Sequence, residues 1–340
     1  MRKLLNTLYI TTPEAYLSKD GENVVVSVNQ SEVFRIPIIN IEGIVTFGYK
    51  GTSPGLMKLC ADNRVSITYL SPFGKYIGKF EGPIKGNVLL RTKQWDLSKD
   101  KEFSSDISKL FIAGKIQNYR NILCRFIRDN GHNEDVDTAI NYLKRSKERA
   151  LKINDLDSLR GIEGDAANHY FEIFPNLILN QKSDFIFKGR SKRPPKDAVN
   201  AMLSFVYTLI ASDVTAALET VGLDPYVGFF HTLRPGRPSL ALDMMEELRA
   251  YLGDRLVLSL INKRQISIRE FISQGEEGIT MTESGRKILL TAWQNRKKET
   301  ITHPYLEEKI PIGLIPYAQA MLLARYIRND LDNYPVFLIS

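Results

Sequence analysis

Cysteine is almost missing from this chain: of 340 residues only Cys60 and Cys124 carry a thiol. The two lie far apart in apolar company, LMKLC and NILCRF, so buried reduced thiols are expected rather than a disulfide, and with them a cytoplasmic setting. No stretch approaches the roughly 18 apolar residues of a membrane span, and the opening MRKLLNTLYITT has too short an apolar run for a secretory signal. The GxxxxGKS/T phosphate loop and the GxGxxG dinucleotide fingerprint are both absent, which excludes chemistry built on those cradles. There is no internal repeat and no low-complexity tail, so a solenoid and a disordered interaction arm are excluded too.

What the chain does have is ample apolar material and an excess of positive charge. Hydrophobic residues make up 43%, and 340 residues exceed the size at which one core usually keeps growing, so two domains are expected. Lys plus Arg number 46 against 39 Asp plus Glu, a formal +7 that suits a phosphate-rich partner. Up to residue 82 the segments LLNTLYIT, VVVSV, EVFRIPI, INIEGIVTF and VSITYLS are punctuated by Asp20-Gly21, Pro37, Gly48 and Pro72-Phe73-Gly74, the pattern of hairpins in a small sandwich or barrel. One helix interrupts them, opening at Ser53-Pro54 and closing at Asn63, with Leu56, Leu59 and Cys60 on its buried side. Farther on the period becomes helical, over 106–129, 135–150, 155–173, 197–221, 239–256, 282–298 and 314–329, with a short β-ribbon at 267–281. The expected fold is α+β: a small β-sandwich domain at 1–82, a linker at 83–95 and a larger, mostly α-helical domain at 96–340.

Potential metal donors stand at three places in the helical part. Glu163 lies mid-helix in GIEGDAANHYF between Gly161 and Gly164. Interior glycines cost roughly 1 kcal/mol each relative to alanine, which calls for tight packing or for close approach of a ligand or backbone. His169, about 240° farther round that helix, belongs to another face. His231 follows GFF and precedes the proline-broken loop TLRPGRPS. Taken singly, Glu163 reads as a solvated glutamate and His231 as a satisfied core histidine. The next helix shifts that balance, because Asp243, Glu246 and Glu247 fall at i, i+3 and i+4 on an otherwise apolar helix, where carboxylates need a cation or arginines beside them. One imidazole with two carboxylates is a moderately hard donor set suited to Mn2+ or Mg2+, which would polarise a phosphodiester and lower the pKa of an attacking hydroxyl.

Basic clusters complete the picture. The loop KGRSKRPPK carries Lys188, Arg190, Lys192, Arg193 and Lys196 without an acid, and Arg234 and Arg237 flank His231; both suit contact with a DNA backbone. YLKRSKERALK at 142–152 reads as a solvated helix face, whereas Arg286, Lys287, Arg296, Lys297 and Lys298 around Trp293 would suit a single-stranded end stacking on the indole. On these residues alone two functions stand: a metal-dependent enzyme acting on DNA phosphodiesters, or a noncatalytic basic DNA-binding or architectural protein, which leaves the buried acids unexplained. A phosphohydrolase of small substrates fits the basic loops less well.

In order and across essentially the whole chain, GIEGDAANHYF, DAVNAMLSFVYTL, GLDPYVGFFHTLRPGRPSLALDMMEELR and IPYAQAMLLARYIRNDLDNYPVF resemble the signatures of the CRISPR-associated protein one family, the integrase and endonuclease of spacer acquisition. The tail and the loop spacing are most similar to its subtype one-C branch. The resemblance implies an N-terminal β-sandwich that mediates homodimerisation and a helical catalytic domain. It implies a hetero-hexamer in which two dimers are bridged by one dimer of CRISPR-associated protein two. It also implies that 3′ hydroxyls of captured double-stranded DNA are joined to the CRISPR repeat by transesterification, with manganese or magnesium. Carried over by position, the family's glutamate ligand falls on Glu163, its histidine on His231 and its third ligand on Glu246, with Asp243 the acid three residues before it. Some branches have aspartate at the third position, so Asp243 stands as an alternative ligand or a base. Asn329 and Val336 occupy tail positions where relatives often have glycine and proline.

Overall fold

Alternating Val and Ile make strands of most of the chain before residue 81. In the computed structural model, which describes residues 7–41, 43–48, 50–71, 76–83, 88–191 and 194–339, these are β1 (Thr7–Ile10), β2 (Ala15–Asp20), β3 (Asn23–Val28), β4 (Ser31–Pro37), β5 (Gly43–Phe47), β6 (Ser66–Leu70) and β7 (Tyr76–Phe80), with α1 (Pro54–Asn63) between β5 and β6. The Pro72-Phe73-Gly74 turn lies outside the described residues. β2, β3 and β4 form an antiparallel sheet whose first hairpin turns at Gly21 (φ +57°). The second turns at Asn29 (φ +50°) and Gln30 (φ +67°), the paired left-handed conformation that matches strand twist in two-residue hairpins.

The other sheet, in the order β1-β5-β6-β7, departs from a hairpin reading, because β1, β5 and β6 run parallel and only β7 is antiparallel. Parallel neighbours need a crossover, which α1 supplies between β5 and β6 and the β2–β4 segment between β1 and β5. Ser53 caps it by accepting from the Leu56 N–H at 3.1 Å, and Arg64 in the left-handed conformation closes it. Leu56, Leu59 and Cys60 join Leu17, Val24, Val26, Ile44 and Ile67 in the core between the sheets. Both cysteines are free thiols, and burial pushes the Cys60 thiol up to about 12. Parallel strands are usually covered on both faces. Here Ile44 faces the sandwich while Val45 and Phe47, of opposite parity on β5, enter the helical core, where Phe47 stacks on Phe205 at 5.8 Å.

Helix begins earlier than expected. α2 (Val88–Lys99) occupies much of the segment read as a linker. It carries no apolar stripe, because one of its two buried residues is Gln94, whose amide donates to the Asp224 and Val227 carbonyls at 2.8 Å each and accepts from the Asp224 N–H at 2.9 Å. There follow α3 (Lys101–Asn130), α4 (Glu134–Lys152), α5 (Leu156–Ile173), α6 (Ala198–Val221), α7 (Ser239–Leu248), α8 (Arg255–Asn262), α9 (Glu283–Lys298) and α10 (Ile315–Arg328). A π-helical turn over Arg249–Asp254 joins α7 to α8 and carries helix past the expected stop near 256. The ribbon read at 267–281 is β8 (Phe271–Ser273) with β9 (Ile279–Met281). A second ribbon, β10 (Thr300–Thr302) with β11 (Lys309–Pro311), has strands of three residues, too short to show a period in sequence.

α6 is the central helix, burying Val199, Met202, Leu203, Val206 and Ile210. Among the described residues it is the one helix long and apolar enough to cross a membrane, contrary to the expectation that no run approaches that length, and 56% of its apolar window is buried inside the protein. Beyond α10 the tail lies along α3. Asn118 donates to the Phe337 carbonyl at 2.8 Å and accepts from the Ile339 N–H at 3.0 Å, and Gly114 leaves room for Val336. A Cβ at 114 would lie 2.2 Å from Val336 Cγ1.

Candidate metal centre

α7 buries three carboxylates completely or nearly so, Asp243 at 0%, Glu246 at 2% and Glu247 at 0% exposure. A buried carboxylate persists only where donors or cations replace its water, and each of the three has its own set. Asp243 serves the loop before α7. Its Oδ2 accepts from the Phe229 and Phe230 N–H groups at 2.7 and 3.0 Å, and its Oδ1 from the His231 N–H at 2.9 Å and from His231 Nδ1 at 2.6 Å. Only glycine fits at 228, since a Cβ there would lie 2.7 Å from Asp243 Oδ2. With Nδ1 held by a carboxylate, the ring orientation is fixed and Nε2 is the nitrogen left for another partner.

Glu247 turns the other way, accepting from Tyr334 Oη, from Gln319 Nε2 at 3.0 Å and from the Phe337 N–H at 2.7 Å. Burial pushes its carboxyl up to about 7. It anchors the tail and takes no part in the site.

Glu246 faces cations. Its Oε2 lies 2.7 Å from Lys115 Nζ and its Oε1 2.9 Å from Arg249 of the π-helical turn. Burial alone would raise its carboxyl, but the Arg249 and Lys115 cations outweigh that and hold it well below the ordinary carboxylate range. Lys115, 1% exposed on α3, also contacts Glu163 Oε1 from α5. Burial opposes its charge, yet the Glu163 and Glu246 carboxylates raise its pKa. One buried ammonium thus draws Glu163 and Glu246 together, while Asp243 points the His231 loop toward the same region. Among the described residues no three His, Cys, Asp or Glu side chains stand at mutual metal-binding distances.

Whether these residues fit a divalent ion turns on the donors they offer. Glu246 Oε2 is buried and has no hydrogen bond of good geometry, only the charge of Lys115 beside it. Glu163 and His231 are each 23% exposed at the side chain, open to an incoming ion. No heavy atom outside the local α5 backbone comes within 4 Å of where a Cβ would stand at Gly161 or Gly164, so packing against other elements does not account for those glycines. Two carboxylates, one buried and one partly exposed, with an imidazole Nε2 fit Mn2+ or Mg2+.

The basic residues divide. Lys188, Lys196 and Arg234 are exposed, and Lys192 and Arg193 lie outside the described residues. Arg190 is turned inward, bonded to the Asn200 amide oxygen at 2.7 Å and set over the Tyr207 ring at 5.3 Å, so it is committed to the fold. Arg237 clips its own loop through Thr232, reaching Oγ1 at 2.8 Å. The stacking surface expected at Trp293 does not exist, because the indole is 1% exposed, Arg286 is bonded to the Met281 carbonyl at 2.7 Å and Lys297 to Asp213 at 2.7 Å. His169 stacks on Tyr142 at 3.6 Å, apart from the Glu163 cluster. A groove of about 770 Å³ between α8 and α9, edged by Arg255, Lys263, Lys287 and Arg296, contains none of the three donors.

Sequence reasoning missed Lys115 and Arg249. Lys115 lies four residues after Phe111 and three before Asn118, within the buried stripe of α3, and a lysine on an apolar stripe was the available signal. Arg249 stands three residues after Glu246, where a helical neighbour of that acid must be.

The fold and site define a class: a two-sheet N-terminal unit backed by a helical one, which carries a buried cluster of cations and carboxylates beside an oriented imidazole. The same architecture occurs in a Cas1 protein from Thermotoga maritima, at TM-score 0.83 and 22% identity over 98% of this chain and 100% of that one. It occurs also in a casposase bound to an integration product, at TM-score 0.83 and 21% identity over 98% and 93%. In a Cas6-RT-Cas1–Cas2 complex it recurs at TM-score 0.85 and 21% identity, over 99% of this chain and 36% of that longer one. The profile of the family described as CRISPR associated protein Cas1 matches residues 8–295. A relative named CRISPR-associated endonuclease Cas1 1, from Chlorobaculum tepidum, is 47% identical over 99% of both chains. This chain belongs to the Cas1 family.

Proposed function

We propose that this protein is a metal-dependent DNA endonuclease and integrase of CRISPR adaptation, working in the cytoplasm, in the subtype one-C branch suggested by its tail and loop spacing. The observation that carries the reading is the convergence of Glu163 and Glu246 on one buried cation position, with His231 oriented by Asp243 at its edge. Glu163, Glu246 and His231 Nε2 would hold Mn2+ or Mg2+, which when bound polarises a phosphodiester and favours the ionised form of a nearby hydroxyl. Asp243, with every contact spent on the His231 loop, is a positioning residue rather than a ligand.

The reaction is an exchange of esters. A 3′ oxygen of captured double-stranded DNA bonds to a phosphorus of the repeat, the bond from that phosphorus to the repeat's own 3′ oxygen breaks, and the proton of the incoming hydroxyl passes to the departing oxygen through solvent. With water in place of the hydroxyl the same steps give cleavage. Arg234, Lys188 and Lys196 hold phosphates, together with Lys192 and Arg193. The relative's name and the casposase caught with its integration product support the chemistry, and the complex containing Cas2 supports that partner. The assembly is a homodimer through the N-terminal sandwich, with two dimers bridged by a Cas2 dimer.

The test is joining of a labelled duplex to a repeat-bearing plasmid in Mn2+, alongside cleavage of a branched duplex. Glu163→Ala and His231→Ala should each lower both by about 100-fold or more while melting close to the wild type. Full activity in either variant sinks the site. A noncatalytic DNA-binding protein is the second reading, favoured by one observation: the Lys115, Glu163, Glu246 and Arg249 cluster is balanced in charge by itself. DNA binding without cleavage or joining in Mn2+ would select it.

A further inference from the structure

Lys115 is the residue of this site that no ligand set includes, and its placement is unusual. It is 1% exposed, and its ammonium contacts Glu163 Oε1 and, at 2.7 Å, Glu246 Oε2. A divalent ion shared by those two carboxylates needs the space between them, which is where the ammonium lies. The contact at Glu246 Oε2 is an ion pair of 2.7 Å, which a cation of higher charge in the same space can replace. The lysine stem is flexible and its charge compact. Arg249, paired with the other Glu246 oxygen at 2.9 Å and set over the Tyr207 ring at 5.2 Å, lies to the side of that space rather than between the two carboxylates.

Charge decides what must move. Glu163 and Glu246 carry two negative charges, Lys115 and Arg249 two positive ones, so the cluster is formally neutral. Even with the buried Asp243 carboxylate behind His231 counted, adding a divalent ion leaves an excess of positive charge in a place with little water to spread it, and like charges at such spacing are strongly unfavourable. If the ammonium withdraws from the carboxylates the excess falls, and DNA phosphates bring it lower still.

We infer that Lys115 is a resident counter-cation which competes with the metal for Glu163 and Glu246, holding metal affinity low until DNA phosphates enter. The inference rests on the metal reading of the site. It makes Lys115 a positioning residue that ties metal loading to substrate.

The experiment measures Mn2+ binding directly, by the electron paramagnetic resonance of free Mn2+, on the full-length protein without DNA and then with a duplex whose phosphates resist cleavage. Lys115→Met should bind Mn2+ roughly ten-fold tighter than wild type without DNA, and Lys115→Arg no tighter than wild type. The duplex should tighten binding more in wild type than in Lys115→Met. Equal or weaker binding by folded Lys115→Met overturns the inference while the metal site stands, provided that wild type binds and His231→Ala does not. No binding by wild type and Lys115→Met alike overturns both. Should Lys115→Met be unfolded without metal, circular dichroism across a Mn2+ titration replaces the binding curve. Recovery of helix with Mn2+ supports competition, and no recovery overturns it.

Discussion

Asp243 accepts three backbone N–H groups and one imidazole N–H with two oxygens and is wholly buried. An asparagine there keeps one oxygen and turns an NH2 toward groups that donate, so Asp243→Asn leaves buried donors facing each other. Loss of about 2–4 kcal/mol follows, read by urea unfolding, and DNA cleavage falls further because the imidazole is no longer held in one orientation. Wild-type stability in that variant would mean the four contacts are incidental. The types and spacing of Glu163, His231, Asp243 and Glu246 were readable in the sequence, since acids on an apolar helix are rare enough to stand out. Which acid orients the histidine and which faces the cation was not, because Asp243, Glu246 and Glu247 share one helix face and part company only through what the neighbouring loop, α3 and the tail bring to them.

Elements show the same division. α1, α6 and the caps of the helices follow local rules, and Asp100, Asn133, Asp155, Asp197 and Thr282 all accept from a backbone N–H of the first turn as their sequence positions suggest. α2 escaped notice because its buried contact is made by Gln94, a polar side chain that periodicity counts as surface. The π-helical turn is a third case, with Gly253 placed where a Cβ would meet Tyr207 Cε1 at 2.9 Å, and with Asp254 accepting from Tyr207 Oη at 2.6 Å. Such turns gather at functional sites, and this one begins with Arg249. The tail is held by close approach at Gly114. Gly114→Ala should cost about 1–3 kcal/mol through overlap with Val336, and Val336→Ala in the same chain should recover part of it, a non-additive pair in a double-mutant cycle. Additive losses would show that the tail does not press on α3 there.

At the scale of the whole molecule, stability depends on buried charge as well as on the two cores. Burial pushes the Asp254 carboxyl up from its ordinary 3.8 to about 6. A raised carboxyl favours the protonated form in the folded state, so its contribution is complete below pH about 4 and is lost as pH rises through about 6. Urea unfolding at pH 4 to 7 should show wild type losing on the order of 2–3 kcal/mol relative to Asp254→Asn over that window. Parallel slopes for the two proteins would remove Asp254 as the source. The second sheet, β1-β5-β6-β7, belongs to both cores, and Phe47 on Phe205 joins them. The sequence pattern marked β5 as a strand but could not say what covers its two faces.

By itself the sequence determined the α+β order of strands then helices, the basic balance, and the residue types of the proposed metal site, because period, caps and donor chemistry are local properties. Tertiary structure alone decided that Arg190 and Trp293 serve the interior, that β1, β5 and β6 run parallel, and that Lys115 reaches Glu163 and Glu246 from a helix 48 residues before the first of them. Those outcomes depend on which distant segments share a space, and no local pattern records that.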